Sequence, residues 1–327
     1  VTSSVAQAAP LAPATSAAPA HAAPSRAQLL LAFAIVYVVW GSTYLAMRLA
    51  VQHVPPFLMG GVRFVIAGAL LGAWVAWRER PALPPLRAWG WAAVTGTLLF
   101  LGGNAGVAWA GKTVPSGVVA LLAASLAIWM VLLDWLRPGG RRPGALVLGG
   151  AALGLGGVGL LVGPAELAGH GSVDPFGSAL ALGGSVAWAL GSLLTRHRAA
   201  PASPFLGSAM QMLVGGVLLL GVAALHGDFA PVSLGAIDPA QPGVARSLWA
   251  VGYLIVFGSL VGFTAYIWLM RNAAPAKVAT YAYVNPVVAV LLGWALGGEA
   301  IGARTVLASA VIVAAVALVT VGRSRAA

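Results

Sequence analysis

The chain has 327 residues, of which 60% are hydrophobic and 8% charged, with 43 glycines and no cysteine; its mean hydropathy is +0.93. Soluble domains carry about 25% charged residues, so the charge available cannot cover a surface that faces water all round, which excludes a soluble enzyme. The lack of cysteine removes disulfides, thiolate zinc sites and cysteine nucleophiles together. A formal net charge of +11 would suit nucleic acid if the basic residues formed one face. They punctuate apolar runs instead, so no nucleic acid partner is expected.

In chain order, residues 1–26 are rich in Ala, Pro, Ser and Thr and cannot bury enough surface to offset the entropy of ordering, which predicts a disordered tail. The tail lacks the basic segment that precedes the apolar core of a cleaved signal peptide, so the stretch after Arg26 reads as a retained span. From Gln28 onward, apolar stretches of roughly 20 residues, enough to cross a bilayer as helices, recur between short polar breaks. The expected spans are 28–48, 57–77, 88–109, 115–136, 144–163, 175–195, 204–225, 247–270, 275–297 and 302–322. Pro55, Pro56, Pro115, Pro204 and Pro275 fall at their starts, where a missing N–H costs least. The stretches are about twice the length of a barrel strand and do not alternate, which favours helices over strands.

With the N-terminus inside, thirteen basic residues fall on the cytoplasmic side and five elsewhere. That follows the positive-inside bias and predicts that both termini are cytoplasmic. Duplication is also visible. A shift of 148 places Trp40 on Trp188, Arg48 on Arg196, Pro56-Phe57-Leu58 on Pro204-Phe205-Leu206 and Gly68 on Gly216; a shift of 160 places Trp89 on Trp249, Gly102 on Gly262 and Pro115 on Pro275. Each half holds five spans, an odd number, so the second half enters from the opposite side, as in many secondary transporters. The expected fold is an all-α integral membrane protein of ten transmembrane helices in two inverted five-helix repeats, 28–163 and 175–322.

The run Trp40-Gly41-Ser42-Thr43-Tyr44, then Pro55-Pro56 and Arg63-Phe64, and later Tyr283-Val284-Asn285-Pro286 with Gly298-Glu299 resemble the EamA family of the drug/metabolite transporter superfamily. The likeness covers about residues 28–322. It implies a multi-pass carrier of the bacterial inner membrane that works by alternating access and exports or exchanges amino acids and other small metabolites. Helices 1–4 and 6–9 would then surround a central cavity, with 5 and 10 outside. No cofactor is implied, and the partners are a small-molecule substrate and the lipid bilayer, for a monomer or homodimer.

Candidate substrate-binding residues lie on the shared faces of these spans. Trp40, Tyr44 and Arg48 sit at i, i+4 and i+8, as do Trp188, Ser192 and Arg196; they form either an aromatic cavity wall or packing tryptophans with arginines that snorkel to the interfaces. Snorkelling is the favoured reading of Arg48 and Arg196. Arg63 stands about six residues into the second span, roughly 9 Å deep at 1.5 Å per residue, where an Arg should face a cavity or a partner. Its fork suits a substrate carboxylate or phosphate; the alternative is a packing role. Its repeat mate is Gln211.

Lys277, Tyr281 and Asn285 share a face of the ninth span, where Pro286 removes the donor to the Ala282 carbonyl. Ser125 matches Asn285 on the fourth span, and Asn104 pairs with Thr264. These are expected to line the pore rather than only to join helices. Trp129 and Tyr266 add aromatic lining or belong to interface belts. The run Gly154-Leu155-Gly156-Gly157-Val158-Gly159 fits the dinucleotide pattern, but that loop must follow a strand, so here the glycines serve close helix contact, internal or at a dimer seam. No catalytic residue, metal site or midspan carboxylate is recognised, which points away from tight proton coupling. A membrane-embedded lipid-modifying enzyme and a passive channel are the rival readings.

Overall fold

The computed structural model describes residues 24–140, 142–161, 173–197, 203–233, 235–273, 278 and 280–326. Most of the tail expected over 1–26 lies outside that set. Among the described residues the chain is all-helical, with no strand. The first four helices are α1 (Arg26–Ala50), α2 (Pro56–Arg78), α3 (Leu86–Ala110) and α4 (Ser116–Leu136). After them come α5 (Ala145–Leu161), α6 (Pro175–His197) and α7 (Pro204–His226). The last three are α8 (Pro242–Asn272), α9 (Tyr281–Gly297) and α10 (Ala303–Ala326). Eight of these are long and apolar enough to cross a membrane; α5 and α9, at 17 residues each, are shorter.

Local chemistry sets the ends. Ser25 and Gln28 form a reciprocal capping box at the start of α1. Pro56 and Pro204 occupy the first turns of α2 and α7, where no N–H is required. Gly227 and Gly298 adopt φ of +82° and +64°, the left-handed conformation that ends α7 and α9 and that glycine enters without a steric penalty.

Small residues let the helices meet closely, the usual driver of association where surrounding lipid is as apolar as the side chains. Along the α2–α7 seam, a Cβ on Gly68 would lie 2.8 Å from the Leu213 nitrogen, and one on Gly216 would lie 2.7 Å from the Val65 nitrogen. Gly60 meets Leu219, Gly61 meets Leu220 and Gly72 meets Ala209, so the numbering runs in opposite directions and the seam is antiparallel. α5 and α10 pack in the same sense: Gly150 lies on Val319, Gly154 on Ala315, Gly157 on Ile312 and Gly322 on Val147. Gly150, Gly154 and Gly157 thus serve an internal contact, whereas a Cβ on Gly156 or Gly159 would meet nothing within 4 Å. Two further antiparallel pairs are α3 with α6, through Gly102–Ala187 and Gly106–Leu180, and α1 with α8, through Thr43–Gly258 and Trp40–Gly262.

Four helices depart from regular α geometry, and all four border the central space. α3 is π-helical over Thr97–Asn104 and α8 over Leu254–Val261. In α4 the ladder breaks at Ser125, whose hydroxyl donates to the Leu122 carbonyl at 2.6 Å; such back-bonding bends helices. In α9 the interruption is Pro286.

Candidate functional site

Residues of α1, α2, α3, α4, α6, α8 and α9 enclose a cavity of about 120 Å³, well above the ~10–15 Å³ that admits one water. α1 contributes Trp40, Thr43, Tyr44 and Met47, α2 contributes Arg63, and the π-helical part of α3 with the turn after it contributes Gly103, Asn104 and Val107. Ala123 and Leu126 flank the Ser125 break, Gly184, Ser185 and Trp188 come from α6, Gly258 and Phe263 from α8, and Tyr281 and Asn285 from α9. Each irregular segment therefore places backbone or a small residue on the cavity wall, a recurrent use of π-bulges.

The polar groups are few. Arg63 is 4% exposed. Its Nε donates to the Ser259 hydroxyl at 2.9 Å and its guanidinium lies 4.7 Å from the Phe64 ring centroid. Among the described residues no carboxylate pairs with it, so its charge is matched only by a neutral hydroxyl and an aromatic face. Asn285 is 5% exposed, and its Oδ1 has no hydrogen-bond partner among the described residues. Around these groups the rings interlock: Trp40 lies 5.2 Å from Tyr281 and 5.4 Å from Phe263, both edge to face, and its indole N–H donates to the Gly258 carbonyl at 3.2 Å.

Of the residues singled out in the sequence, the cavity brings together Trp40, Tyr44, Arg63, Asn104, Trp188, Tyr281 and Asn285. Others stand apart from it. Ser125 is fully buried and accepts from the Trp129 indole N–H at 3.1 Å, so both act on the bend in α4. Tyr266 stands behind the lining, 5.1 Å from Trp40 and 5.9 Å from Tyr281. Gln211 donates to the hydroxyls of Thr95 and Thr195, joining α7 to α3 and α6. Ser192 is half-buried and Thr264 is exposed, and neither lines the cavity. Lys277 lies outside the described residues.

Sequence reasoning missed Thr43, Ser185, Gly258 and Phe263 on the wall, and Ser259 as the partner of Arg63. Thr43 and Ser185 sit three residues from Trp40 and Trp188 on the same faces, so the signal was present for those two. The π-helical segments left none beyond their glycines.

Arg48, expected to snorkel, sits in the last turn of α1 with its side chain about one-third exposed. Its Nη1 lies 3.4 Å from the Glu299 carboxylate, which also accepts from the backbone N–H groups of Ser116 and Gly117 at 2.8 and 3.3 Å. A carboxylate on a neighbouring loop therefore offers this arginine a charged partner, although Nη1 makes no hydrogen bond among the described residues. The side chain of Arg196, given the same expectation, lies outside the described residues.

At the start of α6, Asp174 accepts from the Thr113 hydroxyl and from the backbone N–H groups of Phe176 and Gly177. The Thr113 bond first, and then the helix-end N–H groups, hold its carboxyl below the usual carboxylate range.

The model of the EamA-like transporter family matches residues 28–163 and 175–321. The chain is 41% identical over 289 residues to the inner membrane transporter YedA of Escherichia coli (strain K12), covering 88% of this chain and 89% of that protein. It is 29% identical over 271 residues to the transporter YvbV of Bacillus subtilis (strain 168), covering 82% of each. A crystal structure at 24% identity shares the fold, with a TM-score of 0.60 over 91% of this chain and 98% of that one. With two matched stretches spanning most of its length and a long, well-covered transporter relative, the chain belongs to the EamA-like transporter family.

Proposed function

We propose that this transporter carries small carboxylate-bearing metabolites, amino acids best among them, across a bacterial inner membrane by alternating access, as an exporter or exchanger with both termini cytoplasmic. The observation that carries the substrate class is Arg63. A guanidinium buried in a membrane-spanning helix is expensive, and this one faces an aromatic cavity with Ser259 as its one polar partner among the described residues. Its planar fork suits a carboxylate, while Trp40, Trp188 and Tyr281 suit an apolar or aromatic remainder. Asn104, Tyr44 and Asn285 complete the binding set.

Alternating access rests on two inverted five-helix repeats, 28–163 and 175–322, that rock about this cavity. Support for the inversion comes from the α2–α7 seam. Gly68 faces Ala209 and Leu213, while Gly216 faces Gly61 and Val65; under the 148-residue shift each contact maps onto the other. Helices that are repeat mates and cross antiparallel are related by a two-fold axis lying in the membrane plane. The polar links follow the same exchange: Arg63 of α2 reaches Ser259 of α8, and its mate Gln211 of α7 reaches Thr95 of α3.

Counterflow in proteoliposomes tests the reading. Vesicles preloaded with an unlabelled neutral L-amino acid should accelerate uptake of the same labelled compound, saturably, and the matching amine without a carboxylate should neither enter nor compete. Uptake without saturation or trans-stimulation would mean a channel. Transport of the amine as fast as the amino acid would remove Arg63 from the site.

A further inference from the structure

We propose that Glu299 is a latch that holds the cavity shut at one end of the bundle, the periplasmic end in the orientation argued above. The carboxylate sits just beyond α9, on the connection to α10, and it joins three helices that each supply part of the cavity wall. It accepts from the first two N–H groups of α4, at Ser116 and Gly117. These have no other cap, because the residue before them is Pro115, which makes no side-chain cap bond. It also faces Arg48 of α1 at 3.4 Å, the residue next to cavity-lining Met47. An anion at a helix N-terminus is favoured by the exposed N–H dipoles, and Arg48 adds a charged partner.

The surroundings are shaped for this contact. Gly298, at φ +64°, turns the chain back so that the Glu299 N–H bonds the Gly293 carbonyl at 3.0 Å, and a Cβ on Gly293 would stand 2.5 Å from the Glu299 carboxylate. A carboxylate pressed against a bare stripe of α9 and 7% exposed has no need of so closed a seat if it serves only as a surface charge. The same end is closely packed: Gly117 lies on Val290 and Gly297 on Leu45. Ser116 stands seven residues, about 10 Å at 1.5 Å per residue, from Ala123 on the cavity wall. A path opened from this end by drawing α1 or α4 away from α9 would break the Glu299 contacts. While they hold, access is confined to the opposite face.

The latch rests on the carrier reading above, and one experiment separates the two. The native chain has no cysteine, so Thr43→Cys places a single thiol on the cavity wall and Ala300→Cys, in a separate protein, marks the Glu299 face. Labelling by a membrane-impermeant thiol reagent is followed from each face of sealed, oriented vesicles. Glu299→Gln, which keeps the volume but loses the charge, should speed labelling of Thr43→Cys from the Glu299 face about tenfold and slow it from the other. Ser116→Pro removes one donor from the latch yet suits the first turn of a helix, and it should shift the rates the same way if the Glu299 variant folds poorly. Unchanged rates in both variants would overturn the latch and leave the carrier standing. Rates raised equally from both faces would mean a loosened bundle, which also overturns it. A thiol that never reacts from either face would remove the carrier reading as well.

Discussion

Arg63→Met is expected to lower counterflow of carboxylate substrates about a hundredfold while the protein still inserts and purifies. A hydrogen bond to a charged group contributes about 1.5–3 kcal/mol; two of them from one guanidinium fork come to roughly 3 kcal/mol or more, and each 1.4 kcal/mol is tenfold. Arg63→Lys keeps the charge but not the fork, so about a tenfold loss is expected. The amide derivative of the same substrate separates recognition from packing. Its slower transport should be nearly insensitive to both substitutions, since it offers no charge for the guanidinium to meet. Equal losses for acid and amide would assign Arg63 to holding α2 against α8 through Ser259.

One substitution made at two glycines a turn apart on α2 should give effects of opposite sign. At Gly68 a Cβ would meet backbone atoms of α7 at 2.8 and 3.0 Å. Backbone cannot move aside as a side chain can, so Gly68→Ala should force the seam apart and cost about 1–3 kcal/mol, the range for overpacking. At Gly72 the nearest atom is the Ala209 Cβ at 3.7 Å, an ordinary contact. Gly72→Ala should therefore be neutral or stabilise by up to about 1 kcal/mol, the helix-propensity difference. Thermal unfolding of the purified variants reads both. A comparable loss at Gly72 would mean that the seam is not where the helices meet most tightly.

The sequence carried most of the helices because hydropathy over twenty residues and proline at span starts are local signals. It carried the cavity only in part. Trp40, Tyr44, Trp188, Tyr281 and Asn285 share helical faces that spacing alone defines, and Arg63 was conspicuous as a deep charge. Ser125, Gln211 and Thr264 read as lining from sequence because they are polar mates of polar residues. In the structure Ser125 bonds its own helix, Gln211 bonds Thr95 and Thr195, and Thr264 turns outward. Whether a polar side chain faces the cavity or a neighbouring helix depends on helix rotation, and two π-helical segments and two breaks alter that rotation away from the ideal 100° per residue. The Arg48–Glu299 pair was illegible for another reason: 251 residues separate its members, and no local pattern marks a contact at that range.

In the carrier proposed above, one cavity is reached from either face in turn. Ser185, 4% exposed on the cavity wall of α6, is replaced by cysteine in the otherwise cysteine-free chain, and its reaction with an impermeant reagent is timed from each side of sealed vesicles. Slow reaction is expected from both sides, with saturating substrate changing the two rates in opposite directions or protecting from both. Reaction from one side only, whatever the substrate, would contradict it.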